Sequence, residues 1–397
     1  MTAPARIGIV GLGTIGSQEL ALWHRAGHPT VGYDISQERL AELGHLYESS
    51  DHKPVVTSRV SDLAECSTII LCLPNLLPSL EISMAAFDQF AADLESLPQA
   101  DRLMVIASTV PIGFTRQFAA QIGPHGRTVA HAPERFDPGR GTELGEIPRV
   151  VGGITPEARD MAVQMYTQAG VVTHPVDPVE VAEASKLLEN AFRLVNIGFI
   201  NEFAELCRRV GLTASDVIDA ASTKPFAFMA HQPGVGAGGT CIPTMPRYLL
   251  QAAEKRGLVM PILQDAVANN QQIVEGVSQE LRDLLRSSGV SRGRVLVVGA
   301  TYKPNYPDPR GSAALTFARG LATQHDVVVY DPIVDTTRLP AEVQLIRELP
   351  RHDRFDAVVI ALKHRDLDVA ALRGLSPILI DLVRGAVEVT ESISTHQ

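Results

Sequence analysis

Cys241 stands behind four glycines, Gly234, Gly236, Gly238 and Gly239, and ahead of two prolines, Pro243 and Pro246. Glycine lets backbone approach a neighbour closely, and proline stiffens the chain beyond it. A thiol in this setting is either a nucleophile presented on a shaped loop or a small buried residue. Lys186 and Asn190 are four apart in EASKLLENAFRLVN, so on a helix they share one face, among strongly apolar neighbours. Near the start, Gly11-x-Gly13-x-x-Gly16 follows the apolar run IGIV, and Asp34 ends the next such run, 18 residues after Gly16. A strand, a tight turn, a helix N-terminus and an acid in that order make a dinucleotide site. Gly11 makes the turn, Gly13 admits the pyrophosphate, Gly16 lets the helix pack on the strand, and the helix amides face the phosphates. Asp34 is expected on the adenosine ribose, where a carboxylate repels a 2′-phosphate; the expected cofactor is NAD rather than NADP.

Elements must hold these residues in place. Apolar runs at 6–10, 30–34, 67–73, 102–108, 127–132 and 170–176 alternate with helical patterns. That alternation predicts a mostly parallel sheet covered on both faces, closing near Asp177-Pro178. A proline-free stretch, 179–210, then predicts one long helix of roughly 30 residues and about 45 Å. It is apolar on much of its circumference, which marks a buried or subunit-facing helix. Gly211 fits its C-cap and Thr213 the N-cap of the next helix. Helical pattern resumes over about 246–288. From Arg292, RVLVVGATYKP, a helix near 312–324, DVVVYDP, DAVVIALKH and PILIDLV predict a second, smaller α/β unit. The expected class is α/β: two Rossmann-like parallel-sheet domains joined by a central helical domain with one long helix. The expected domains are an NAD-binding one at 1–178, a helical one with the cysteine loop at 179–289, and an α/β one at 290–397 that holds another nucleotide-like ligand.

Composition narrows the partners. The chain of 397 residues is 45% hydrophobic and 20% charged, with a net charge of −10. An acidic surface excludes nucleic acid as the expected partner, while a nucleotide-sized anion remains compatible with local glycine loops. No apolar run reaches membrane-span length, and Met1–Arg6 carry no expected signal peptide. The four cysteines form no CxxC pair, which fits reduced thiols in the cytoplasm; Cys66, Cys72 and Cys207 read as core residues. His131, His174, His231 and His364 are scattered and suggest no metal.

Five segments stand in a telling order: ASTVPIGFT (107–115), HAPERFDPG (131–139), EASKLLENAFRLVNIGFINE (183–202), PGVGAGGTCIPTMP (233–246) and GATYKPNYPDPRGSAAL (299–315). Over almost its whole length the sequence resembles the UDP-glucose/GDP-mannose dehydrogenase family, the nucleotide-sugar 6-dehydrogenases. The resemblance implies oxidation of a sugar C6 alcohol to the carboxylate with two NAD. It implies Cys241 as nucleophile, with Lys186, Asn190, Thr109 and Glu134 as its catalytic companions. Contacts to NAD are implied for Gly11, Gly13, Thr14, Ile15, Gly16 and Asp34, and for Pro74, Ser108, Thr109 and Arg310. Contacts to the sugar nucleotide are implied for Glu134, Arg135, Lys186 and Asn190, and for Gly234, Gly236, Gly238 and Lys303. His364 matches a histidine common in the last domain of the family. The Pro-Glu-Arg at 133–135 resembles the branch acting on UDP-N-acetylated amino sugars. A homodimer through the central helix is implied as well.

The chemistry gives its own reasons for these types. An aldehyde yields a second hydride readily only after a nucleophile adds to it. A thiolate does so, giving a thiohemiacetal whose oxidation is a thioester. Lys186 can favour the thiolate and stabilise the oxyanion. Glu134 and Thr109 can position the water that shuttles protons and hydrolyses the thioester.

The pattern breaks at Met245, where the family carries an aspartate, and at Thr240, where the amino-sugar branch carries a histidine. It breaks again at Pro307 and Gly311, which replace two carboxylates of an Asp-Asp-x-Arg-Glu-Ser run. Alternatives stay open on this ground: a two-electron dehydrogenase on an atypical nucleotide or nucleoside, or a catalytically degenerate nucleotide-binding protein. A β-hydroxyacid-type dehydrogenase would need neither Cys241 nor the second α/β unit.

Overall fold

The computed structural model describes residues 5–48, 53–77, 81–126, 128–137, 143–339, 343–350 and 353–389. Arg127, Pro138 and Gly139, which belong to the expected strand and motif, lie outside them. The chain divides into two compact units, residues 1–189 with 247–257, and 190–246 with 258–397.

The first unit runs β1 (Ile7–Val10), α1 (Thr14–Arg25), β2 (Thr30–Tyr33), α2 (Gln37–Leu46), β3 (Val55–Thr57), β4 (Thr68–Leu71), α3 (Ala85–Leu94), β5 (Leu103–Ile106), α4 (Phe114–Gln121), β6 (Val129–His131), β7 (Arg149–Gly153), α5 (Pro156–Gln168), β8 (Thr173–Val176) and the start of α6 (Val179–Arg209). Its sheet has the order β3-β2-β1-β4-β5-β6-β7-β8, and every pair is parallel except β6 with β7. β1, β2, β4 and β5 are four-residue strands buried at every position, as expected of a sheet covered on both faces. One face packs on Phe87, Phe114 and Phe118, the other on Leu20, Trp23 and Tyr166.

The second unit runs α7 (Ala214–Ser222), α8 (Cys241–Thr244), α10 (Pro261–Ser287), β9 (Arg294–Val298), α11 (Ala313–Ala322), β10 (Asp326–Tyr330), β11 (Leu345–Ile346), β12 (Ala357–Ile360), α12 (Val369–Arg373), β13 (Ile378–Asp381) and β14 (Ala386–Val389), while α9 (Pro246–Glu254), between α8 and α10 in sequence, falls almost wholly in the first. Its sheet order is β11-β10-β9-β12-β13-β14, parallel except β13 with β14. Phe317 and Leu321 of α11 and Leu281 and Leu285 of α10 pack on this sheet.

Two local expectations change. The helical pattern over 246–288 is two helices, broken where Gly257 takes φ +66°. Thr213 occupies the N-cap of α7, but its side chain makes no capping hydrogen bond. The long helix matches its expected range, and Gly211 follows it at φ +77°. Among the described residues no helix is long and apolar enough to cross a membrane. Helix α6 carries exposed apolar side chains at Val181, Leu188, Phe192, Phe199 and Leu206, a stripe that is not buried within this single chain.

Candidate active site

The dinucleotide fingerprint forms at the carboxyl end of β1. Gly11 turns the chain at φ +84°. A Cβ on Gly16 would lie 1.7 Å from Gly11 O, so only glycine allows α1 to sit this close to the turn. A Cβ on Gly13 would meet nothing within 4 Å, which leaves open space in front of this backbone. Gly13 is the N-cap of α1 and supplies no side-chain cap, so the first-turn amides near Thr14 and Ile15 are left for an anion. Asp34 Oδ2 accepts from Leu12 N at 2.6 Å and Oδ1 from Ser36 N at 2.9 Å, which fixes the carboxylate at the end of β2. These residues fit a dinucleotide.

Sequence reasoning missed Arg39, whose Nε donates to Leu12 O at 2.6 Å. It brings a guanidinium to the same edge as Asp34. Its signal was its place one turn into the helix that Ser36 caps through Arg39 N at 3.2 Å.

The second unit repeats this turn and then closes it. Gly299 N donates to Tyr330 O at 2.8 Å as Gly11 N does to Tyr33 O at 2.9 Å, and Ala300 N meets Asp331 Oδ2 at 2.7 Å. Asp331, however, is fully buried, and His364 Nε2 lies 2.9 Å from its Oδ2. Burial works against the charge on Asp331, but His364 and the Ala300 amide outweigh it and hold the carboxyl below its ordinary range. Ser312 caps α11 through Leu315 N at 3.2 Å. The acid and the helix amides that fit a dinucleotide in the first unit are thus already used in the second. His364, with Nδ1 accepting from Asn305 N at 3.0 Å, organises the 301–308 loop.

Around the remaining strand ends, the first unit gathers Pro74, Ser108, Thr109, Glu134 and Arg135. Ser108 Oγ donates to Leu73 O at 2.7 Å, tying the loop after β5 to the one that holds Pro74. Asn75 Nδ2 donates to Thr109 O at 2.5 Å, and Asn75 O accepts from Tyr248 Oη at 3.3 Å. Glu134 N donates to Ala107 O at 2.9 Å, so the Pro-Glu-Arg segment is pinned beside the Ser108-Thr109 turn. Arg135 does not stand free: Nη2 is 2.7 Å from Glu189 on α6, and Nη1 donates to Pro148 O at 2.9 Å. On the same helix, Glu183 accepts from Thr115 N at 2.7 Å and Thr115 Oγ1 at 2.6 Å, and from Gly113 N. That acid anchors the start of α4 one turn before Lys186. Asn190 follows Lys186 by one turn, is buried, and its Nδ2 has no hydrogen-bond partner among the described residues. A buried unpaired amide of this kind marks a place where a ligand or water completes the bonding.

In the second unit the cysteine loop is shaped by its glycines. Gly239, at φ +79°, donates its N–H to Gly311 O at 2.9 Å, and a Cβ on it would come within 2.8 Å of the Tyr302 ring. Gly234 N is held by Asn201 Oδ1 at 2.8 Å, and Ala237 N by Asn270 Oδ1 at 2.6 Å. The loop therefore rests on α6, α10 and the 302–311 segment, and Gly236 and Gly238 lie between these anchors. Cys241 is exposed at its end, with Thr240 Oγ1 at 3.8 Å from Sγ. Met245 instead points inward and is 3% exposed. The position where a carboxylate was expected has become apolar packing. Arg310 is bound by both Asp308 oxygens, Nε at 3.0 Å from each, and Lys303 lies half-buried in the same loop.

Burial separates the other cysteines from Cys241. It pushes the Cys66 thiol up to about 11 and the Cys72 thiol well above its ordinary value, so neither is a ready thiolate. Burial likewise holds His131 down to about 3, with Arg149 adding to the effect. An unfolded histidine binds its proton near pH 6.5, so stability is full above that pH and is lost as pH falls toward 3. Between pH 7 and pH 5 this residue should account for about 2 kcal/mol of lost stability. His131→Met should flatten the pH dependence by that amount in denaturant unfolding, and an unchanged slope would remove His131 as its source.

The chain matches known proteins over most of its length. Three models of the UDP-glucose/GDP-mannose dehydrogenase family match: the NAD binding domain at 5–170, the central domain at 180–272 and the UDP binding domain at 296–384. The chain is 31% identical to UDP-N-acetyl-D-mannosamine dehydrogenase of Pyrococcus horikoshii, over 90% of this chain and 89% of that protein. It is 30% identical to UDP-N-acetyl-D-glucosamine 6-dehydrogenase of Pseudomonas aeruginosa, over 91% of each. A solved structure of UDP-D-ManNAc dehydrogenase from Pyrococcus horikoshii matches with a TM-score of 0.84 at 28% identity, covering 98% of this chain and 97% of that one. The chain belongs to the UDP-glucose/GDP-mannose dehydrogenase family, the NAD-dependent oxidoreductases of nucleotide sugars.

Proposed function

We propose that this protein oxidises the C6 alcohol of a UDP-N-acetylhexosamine to the carboxylate through a covalent intermediate on Cys241. The observation that carries this reading is the exposed Cys241 thiol on a glycine-shaped loop, in a chain whose other cysteines are wholly or partly buried. The amino-sugar class rests on the names of the relatives and on Pro133-Glu134-Arg135, with Arg135 held by Glu189. Bound NAD supplies the hydride acceptor. Gly11, Gly13 and Gly16, with the amides of Thr14 and Ile15, would hold its pyrophosphate; Asp34 would take its ribose hydroxyls, and Pro74, Ser108, Thr109 and Arg310 would hold the rest.

The chain's own residues carry the other work. Lys186 and Asn190 stabilise the oxygen that becomes negative when the thiolate adds to the aldehyde. Glu134 and Thr109 hold the water that first shuttles the alcohol proton and later hydrolyses the thioester. Gly234, Gly236, Gly238 and Lys303 bound the sugar-nucleotide side. The tripartite division at 1–178, 179–289 and 290–397 belongs to this reading, supported by the spans of the three family models. So do a cytoplasmic location, from the free thiols, and a homodimer through the exposed apolar stripe of α6.

One observation favours a second reading. Met245 is buried and cannot accept a proton, so a reaction that stops at two electrons fits the loss of that carboxylate. Incubation with NAD and a panel of UDP- and GDP-sugars decides between them. Two NADH per product and an acid about 14 Da heavier than the substrate are expected. One NADH and an aldehyde would replace the first reading by the second, and NAD binding without turnover would sink both.

A further inference from the structure

Three of the buried charged side chains of the first unit form one cluster, and the proposed chemistry uses only one of them. Glu19 on α1 is fully buried, Arg149 at the start of β7 is 2% exposed, and Glu134 is 7% exposed. Arg149 Nη2 donates to Glu19 Oε1 at 2.7 Å and lies 2.8 Å from Glu134 Oε2. Arg149 Nη1 donates to Ala132 O at 3.2 Å, and its guanidinium carbon sits 4.8 Å from the centre of the Tyr166 ring. The second Glu19 oxygen accepts from Trp23 Nε1 at 3.2 Å. Glu134 Oε1 accepts from the amides of Arg135, at 2.6 Å, and Phe136.

Stability alone does not call for this set, because well-packed apolar residues of the same volume do as well as a buried ion triad. Geometry suggests a use. A guanidinium is a rigid planar fork that can hold two carboxylates at a fixed separation, which an ammonium cannot. The backbone amides pin Glu134 Oε1, and Arg149 faces Oε2. Yet Oε2 accepts no hydrogen bond in proper geometry among the described residues, so it keeps a lone pair for a water.

We infer that Arg149 is a positioning residue for Glu134, anchored by Glu19 on the dinucleotide helix, and that it aims the carboxylate oxygen that takes the proton of the hydrolytic water. The inference rests on the proposed role of Glu134. In the step concerned, the water oxygen bonds to the thioester carbon and its proton passes to Glu134. The C–S bond then breaks, leaving the carboxylic acid, the Cys241 thiolate and protonated Glu134; no electrons change hands. Arg149 touches none of the reacting atoms.

The experiment compares Arg149→Lys, Arg149→Met and Glu134→Gln by intact-protein mass spectrometry during turnover with NAD and UDP-N-acetylhexosamine. Calorimetry gives NAD affinity, and thermal melts report folding. Glu134→Gln tests the underlying reading: it should trap the acyl adduct on Cys241. Arg149→Lys should keep NAD affinity within about threefold and slow hydrolysis at least about tenfold more than it slows the first NADH, whose proton passes through the same water, so that the same adduct accumulates. In a folded Arg149→Met the slowing should be larger, and it should not add to that of Glu134→Gln, because residues acting as a unit are non-additive. If Glu134→Gln traps no adduct, the reading of Glu134 fails. If it does, and folded Arg149→Lys traps none or slows both oxidations and hydrolysis equally, the positioning role is overturned. Should Arg149→Met not fold, Arg149→Lys still decides.

Discussion

Cys241→Ser should lower carboxylate formation by at least about 1000-fold while NAD affinity stays within about twofold. A serine hydroxyl is far less acidic than a thiol and adds to an aldehyde far less readily at neutral pH. Thr240, whose Oγ1 lies 3.8 Å from Sγ, offers only a hydroxyl. The aldehyde would then find no nucleophile to hold it as a hydride donor. Cys207→Ser is the control. Cys207 is buried against Ala204 and Ala214, so a hydroxyl there costs about 1–3 kcal/mol of stability but does not touch the rate. Stopped NADH traces and intact masses would separate the two variants. A four-electron rate in Cys241→Ser equal to that of the parent protein removes the covalent route altogether.

The sequence made some of this visible for clear physical reasons. Buried four-residue strands such as Ile7–Val10 and Thr68–Leu71 are continuous apolar runs, and the 31-residue α6 has neither proline nor more than one glycine. Other features were hidden because their residue types mislead. Val55–Thr57 is an edge strand of three residues, only one of them buried. Arg149–Gly153 begins with a charge and ends in two glycines, so it is not among the expected strands, yet all five residues are buried. Arg149 is solvated by carboxylates, and its charge is fixed because they outweigh the cost of burial. No pattern along the chain brings Glu19, Glu134 and Arg149 together; only the sheet order does. Asp331 and His364 were likewise separate letters until the turn after β9 closed over them.

The cysteine loop was legible as a motif and changed meaning as a structure. The glycines around Cys241 could be expected to admit a substrate. Gly239 and Gly311 also admit each other, with a Cβ on Gly311 placed 2.8 Å from Gly239 O. The lost glutamate at Gly311 and the lost aspartate at Met245 therefore have different consequences. One makes room for backbone, and the other feeds the core with an apolar side chain. Neither change removes Cys241 from solvent.

The dinucleotide turn supports the sharpest comparison of two single substitutions. Gly16→Ala puts a methyl 1.7 Å from Gly11 O and 2.8 Å from Gly11 C. Both are backbone atoms that no rotamer change can move, so α1 must shift away from β1. NAD affinity should fall at least about 100-fold, near 3 kcal/mol, and the melting temperature should drop by several degrees. Gly13→Ala puts its methyl where nothing lies within 4 Å, so the fold should melt as before. Its methyl instead occupies the space the pyrophosphate needs, and NAD affinity should fall about tenfold or more with no thermal change. Gly44→Ala on α2, also with nothing within 4 Å, should leave both measurements unchanged or slightly raise stability. Calorimetric NAD titrations and thermal melts of the three variants give six values. If Gly13→Ala binds NAD as the parent does, the pyrophosphate does not lie against this turn. If Gly16→Ala keeps the parent melting temperature, the close packing of α1 on β1 is not what the fold requires there.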